Sequence, residues 1–159
     1  MDPAFSQQYD LIRGARAALL RYCATLSPAH FVAPVAAFNH SSIRDLLVHV
    51  ADCYQGWLGE VGLGRPLVRP LPAQVPDVAA VRALFASVDA LVREFGQHFA
   101  GQWLITQHFV SARHPAPLRL SPLHLFTHVI THEFHHKGQA LSMSRQLGYV
   151  PVDTDVIRT

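Results

Sequence analysis

The sequence is poor in charge and in cysteine. Only 15% of its 159 residues are charged, whereas half are hydrophobic, and this balance excludes an intrinsically disordered chain. Two cysteines, Cys23 and Cys53, are too few for a disulfide framework, and neither belongs to a Cys-x-x-Cys pair. We interpret both as small buried apolar residues in the core that a chain of this length can form.

Three further features are missing from the chain. No run of about 18 apolar residues is present, which excludes a membrane span. Asp2 and Asp10 lie where a secretory signal would have a basic start and an apolar stretch. The net charge is +2 and the 13 basic residues are scattered, so no basic patch for nucleic acid exists. We therefore expect a cytoplasmic protein without membrane or nucleic-acid partners.

Apolar residues recur at helical spacing in the first half of the chain. The first predicted helix covers residues 5–26 and ends at Ser27, which precedes a proline. The second begins near Ser42, which we expect to form a capping box with Asp45. Residues 59–76 contain three glycines and four prolines, a composition that predicts a non-helical connection.

Two more helices are predicted in the second half. One follows Asp77 as its N-cap and continues to about Phe99. The other has Ser121 as its N-cap, proline at its first position, and Gly148 as its C-terminal cap. Between them, residues 103–105 and 109–110 are predicted as short extended pieces.

These four helices predict the architecture. Amphipathic helices of about 20 residues bury their apolar faces best as a bundle. At up to about 3.3 Å per residue, the connection over 59–76 is long enough to return along a whole helix, so the bundle need not be a simple up-and-down one. We predict an all-α four-helix bundle that forms a single domain over residues 1–159.

Histidine is the unusual component, because five of the eleven lie between His124 and His136. His132 and His136 lie in the middle of the apolar stripe of the fourth helix, one turn apart, and such a pair can bind one metal ion. The alternative is a pair of core histidines bonded to side chains or water. His124, His128 and His135 lie off the stripe, His128 being the nearest to it.

A third ligand must come from another part of the chain. Residues 132–136 match the H-E-x-x-H pattern of zinc peptidases, but residues 137–159 contain no Glu or His to complete such a site. Upstream, His49 alone lies within a predicted helix, at the edge of its apolar face; without His132 and His136 it would be interpreted as a residue on the flank of a half-buried helix. Glu133 either reaches the rim of the site, as a candidate catalytic residue, or is an ordinary surface carboxylate.

Gln139 faces the apolar stripe of the fourth helix. It could orient a bound cofactor or a water molecule near the metal, and we treat it as a candidate cofactor-binding residue. The alternative is a polar residue at the solvated end of the bundle.

Two segments resemble the DinB/YfiT-like family. Residues 42–52, SIRDLLVHVAD, with a Trp-Leu pair at 57–58, are similar to its second helix. Residues 128–139, HVITHEFHHKGQ, followed by Leu-Gly at 147–148 and Asp-Thr-Asp at 153–155, are similar to its closing motif. The resemblance implies an up-down-down-up four-helix bundle, with 59–76 as the crossover, and often a homodimer. It also implies a three-histidine metal site, whose ligands fall here on His49, His132 and His136.

The same resemblance implies an activity. Members of the family include transferases that move low-molecular-weight thiols such as bacillithiol or mycothiol, and a thiol-dependent isomerase. A thiolate held by one divalent ion, zinc or nickel, would attack a small electrophile, and no protein nucleophile would be required. The alternatives are a metal-dependent hydrolase that uses activated water and a non-catalytic metal- or ligand-binding module.

Overall fold

The computed structural model describes residues 3–66, 68–111 and 115–158, and within them the chain is mostly helical. In chain order the α-helices are α1 (Pro3–Cys23), α2 (Pro28–Phe31), α3 (Ile43–Tyr54), α4 (Val78–His98) and α5 (Pro122–Gln146). Short 3-10 helices cover Ala36–Phe38 and Pro72–Gln74. α3 packs against both α4 and α5, and α1 packs against α4, so that a continuous apolar core forms between them.

The predicted helix caps are confirmed. The Ser42 hydroxyl accepts a hydrogen bond from the Asp45 amide at 3.1 Å, and the Asp45 carboxylate accepts one from the Ser42 amide at 3.0 Å. Asp77 caps α4 and Ser121 caps α5. Gly148 follows α5 with a φ of 89°, a conformation that glycine adopts without strain. These local side-chain bonds fix where α3, α4 and α5 begin.

The non-helical connection was predicted over 59–76, but in the structure the helix continues beyond residue 59. α3 continues without a break into a π-helix, Gln55–Gly62. The glycines here allow close packing rather than ending the helix, since a Cβ built on Gly62 would lie 2.6 Å from Cε2 of Phe95 in α4. The chain leaves the helix at Gly64, where φ is 65°, and the first proline of the segment follows at Pro66.

The chain is mostly helical, as predicted, and it also contains a small sheet that includes Phe109 of the extended piece predicted at 109–110. β1 (Gln107–Phe109) and β2 (Leu118–Leu120) form an antiparallel two-stranded sheet in which Phe109 faces Leu118. Residues 103–105, predicted as extended, lie in a turn, because the Trp103 ring is buried and stacks on Phe5 of α1 at 3.8 Å between centroids. Within the described residues, no helix has both the length and the apolar content needed to cross a membrane.

The Asp-Thr-Asp segment is held against α5 by a buried lysine. Lys137 Nζ donates to the Thr154 carbonyl at 2.8 Å and to the Asp155 carboxylate at 3.0 Å, and lies 4.2 Å from the centroid of the Phe134 ring. This contact ties the C-terminal segment to the helix that carries the histidine cluster.

Candidate metal centre

Three imidazoles from two helices converge at the α3–α5 interface. His49 projects from α3, and His132 and His136 project from successive turns of α5. One nitrogen from each ring lies within 4.8 Å of the others, and the Nε2 atoms of His49 and His132 are 3.1 Å apart. The structure therefore brings together the three residues predicted as metal ligands.

This spacing suits one metal ion. A tetrahedral zinc with Zn–N bonds of about 2.0–2.1 Å places neighbouring donor atoms about 3.3–3.4 Å apart. The His49–His132 separation is close to that value, and the rings of His132 and His136 have centroids 4.3 Å apart with nearly perpendicular planes. His49 is exposed while the other two are half-buried, so the cluster is open to solvent on the α3 side.

Gln139 bonds to the back of one ligand. The Nδ1 atom of His136 lies 2.6 Å from Oε1 of Gln139. Because an amide oxygen only accepts hydrogen bonds, Nδ1 of His136 carries the proton, which leaves the Nε2 lone pair available for a metal. The structure thus places Gln139, the candidate cofactor-binding residue, in direct contact with His136.

The surroundings of the cluster favour neutral imidazoles. Burial lowers the pKa of His132 to about 4, and the neighbouring rings of His136 and His49 act in the same direction. Burial also lowers the pKa of His136, against the opposing effect of the bond to Gln139. Both shifts favour the neutral imidazole, the state in which a histidine can bind a metal.

Glu133 is buried, and the prediction that it could be a surface carboxylate is wrong. Its two oxygens accept hydrogen bonds from the Arg16 guanidinium at 2.7 and 2.8 Å, and one also accepts from the Tyr54 hydroxyl at 2.6 Å. Arg16 itself is only 5% exposed. Burial opposes the Arg16 charge, but Glu133, together with Tyr9 and Tyr54, raises the Arg16 pKa well above its ordinary value.

The network around Glu133 extends into two other helices. Arg16 of α1 also donates to Asp89 of α4 at 2.8 Å, and the Tyr9 hydroxyl donates to the same carboxylate oxygen at 2.7 Å. Sequence reasoning missed this network. One feature of the sequence indicated it: Arg16 interrupts the apolar face of α1, one turn from Ile12 and from Leu19.

A second group of donors adjoins the first. Cys53 lies one turn after His49 on α3, and His128 lies one turn before His132 on α5. One donor atom each from Cys53, His128 and His132 lies within 4.8 Å of the others. Cys53 is buried, as predicted, and His128 is exposed; the proximity of the thiol to the imidazoles was not predicted. His124 and His135 are exposed, and His124 bonds to Ser121 in the α5 cap.

The chain is thus a mostly helical protein in which three clustered imidazoles form a candidate metal centre. The sequence profile of the DinB family matches residues 1–159, the whole chain. The chain therefore belongs to the DinB family. A search of curated proteins finds no match.

Proposed function

We propose that this protein binds one divalent ion, zinc or nickel, through His49, His132 and His136, and transfers a low-molecular-weight thiol to a small electrophile. The observation that carries the proposal is the convergence of three imidazoles on one solvent-accessible point. Family membership supports the proposal, since the DinB/YfiT-like family, which the chain resembles, includes thiol transferases. Imidazole nitrogens suit both metals.

The residues of the cluster have distinct roles in this proposal. A divalent ion held by neutral ligands keeps its full charge and lowers the pKa of a bound thiol. His132 and His136 supply neutral nitrogens because burial disfavours their protonation. Gln139 positions His136 through Nδ1.

The state of Glu133 favours thiol transfer over hydrolysis. In an H-E-x-x-H hydrolase, the glutamate accepts a proton from the attacking water. Here both oxygens of the Glu133 carboxylate already accept strong hydrogen bonds from Arg16 or Tyr54. We propose that Glu133 supports the helix that carries two of the ligands and that it has no catalytic role.

The family also supports a wider proposal about architecture. We propose that residues 1–159 form one domain in which α1, α3, α4 and α5 follow the up-down-down-up order, with the segment after the π-helix as the crossover. We further propose a cytoplasmic homodimer. The single continuous apolar core is consistent with one domain.

Elemental analysis tests the metal site. We expect one zinc or nickel ion per chain in the parent protein and a strong loss of it in His49→Ala, His132→Ala and His136→Ala. The matched controls are His124→Ala and His135→Ala, which remove exposed imidazoles of the same helix and should keep the metal. Full occupancy in His49→Ala would show that the third ligand is wrongly assigned.

A rate comparison tests the reaction. The metal-loaded protein is assayed with a reactive small electrophile, with and without added thiol. We expect turnover that needs the thiol and that disappears in His136→Ala. Thiol-independent ester or peptide hydrolysis would support the hydrolase instead. A metal-loaded protein that turns over nothing in a broad thiol and ester screen would support a binding module.

A further inference from the structure

The donor atoms at the α3–α5 interface extend beyond the three-histidine cluster. On α5, His128, His132 and His136 occupy three successive turns; on α3, His49 and Cys53 occupy two. Residues one helical turn apart have Cβ atoms about 5–6 Å apart. The two helices therefore place metal-binding donor atoms along their interface over several turns. His132 belongs to two sets of donors, one with His49 and His136 and the other with Cys53 and His128.

The second set differs from the first in its chemistry. It offers one sulfur and two nitrogens, and a thiolate favours soft or borderline metals such as Cu(I), Zn(II) and Co(II). Cys53 is 7% exposed, so its sulfur lies at the inner wall, whereas exposed His128 faces solvent. The His128 ring packs against Trp57, with centroids 4.9 Å apart, and against His132 at 5.7 Å. These contacts hold the imidazole beside the sulfur.

We propose that Cys53, His128 and His132 form a second, mixed sulfur–nitrogen binding position for a thiophilic metal ion, one helical turn from the three-histidine cluster. As the metal–sulfur bond forms, the Cys53 thiol releases its proton to solvent. His132 is common to both sets, so that a single ion occupies one position or the other. This position requires neither His49 nor His136, and it does not depend on thiol-transfer activity.

The test isolates the second position by removing the first. The double variant His49→Ala/His136→Ala lacks two ligands of the three-histidine cluster but keeps all three donors of the mixed set. The mixed set is the weaker of the two positions, so this variant should lose its metal on purification, but when it is titrated with Co(II) it should bind one ion per chain and show a sulfur-to-cobalt charge-transfer band in the near ultraviolet. Adding Cys53→Ser should abolish the band. Adding His128→Ala, which changes an exposed residue, should weaken cobalt binding at least about tenfold, the usual effect of losing a ligand or its support.

Cys23 provides the matched control. It is the only other cysteine in the sequence and is also buried, so Cys23→Ser in the double variant should leave the band unchanged. The proposal is overturned if the folded double variant binds no cobalt, binds it without the band, or keeps the band after Cys53→Ser. The proposed function is judged separately, because Cys53→Ser alone should retain one metal ion on the three histidines.

Discussion

At the scale of single residues, one hydrogen bond determines how a ligand faces the metal centre. Gln139 accepts the Nδ1 proton of His136 at 2.6 Å, and this fixes the tautomer that leaves Nε2 unprotonated. Such supporting bonds typically change metal affinity by about 10- to 100-fold. In the proposed metal site, Gln139 would therefore contribute to binding without touching the ion.

Substitution of Gln139 tests this contribution. Gln139→Leu removes the acceptor at similar size, and we expect zinc affinity to fall by about 10- to 100-fold, measured by competition with a chelator. Gln139→Glu keeps an acceptor for Nδ1 and should bind zinc nearly as tightly as the parent. Equal affinities for the leucine variant and the parent would mean that the bond does not support the ligand.

Glu133 makes a second prediction at this scale. Glu133→Gln keeps the side-chain volume but leaves the buried Arg16 charge without its bidentate partner. Arg16 keeps Asp89 as an ionic partner, so the loss is that of hydrogen bonds to a charged group, about 1.5–3 kcal/mol, which urea denaturation would measure. The control is Glu94→Gln, which breaks the exposed ion pair with Arg65 and should cost at most about 1 kcal/mol. Similar small losses in both variants would restore Glu133 as a carboxylate available for chemistry.

The residues of the cluster differ in how far the sequence could predict them. His132 and His136 lie one turn apart on one helix, and helical periodicity alone placed them side by side. His49 lies 83 residues from His132 in the chain, and the packing of α3 on α5 brings the two together. Its place within a helix therefore only suggested that it could be the third ligand. The bond from Arg16 to Glu133 spans 117 residues, and periodicity contains no information about such a partner.

At the scale of the elements, the helix limits were predictable where the determinants are local. At the start of three helices, side chains accept hydrogen bonds from backbone amides no more than three residues away. These side chains belong to Ser42, paired with Asp45, to Asp77 and to Ser121. The π-helix was not predictable, because the role of Gly62 depends on its close approach to Phe95, which lies 33 residues further along the chain. Composition alone indicated a break in the helix where the structure has close packing.

A pair of glycine substitutions tests this explanation. Gly62→Ala would place its Cβ 2.6 Å from the Phe95 ring, and overpacking of this kind costs about 1–3 kcal/mol. Gly138→Ala on α5 meets nothing within 4 Å and should raise the free energy of unfolding by about 0.5–1 kcal/mol through helix propensity. Thermal or urea unfolding gives both values. Stabilisation by Gly62→Ala would show that the glycine is not required for helix packing.

At the scale of the whole molecule, the proposed homodimer has one candidate contact on a long helix. The described residues expose several large apolar side chains, and most lie in connections or in the C-terminal segment, such as Leu104, Val110 and Ile157. Leu11, 49% exposed, lies on α1. A dimer that packs through helices would bury this side chain.

Light scattering tests the assembly. We expect a dimer at micromolar concentration and a shift toward monomer in Leu11→Asp, because an interface depletes charge at its centre. Ile157→Asp, which changes an exposed residue outside the helices, is the control and should remain dimeric. A monomeric parent protein would remove the homodimer from the proposal, and a dimeric Leu11→Asp would place the interface away from α1.

The meeting of His49 and His132 has a further consequence, for the stability of the folded chain. Two residues 83 positions apart that share one ion close a loop of that length, as a disulfide would. The unfolded chain has no preformed site, so the ion stabilises the folded state by its own binding, which adds about 2.7 kcal/mol to the free energy of unfolding when the free ion is at a hundred times its dissociation constant. Unlike a disulfide, this link opens whenever the ion is lost to a chelator or a competing protein. The metal supply of the cell would then set how long the folded chain survives as well as whether it is active.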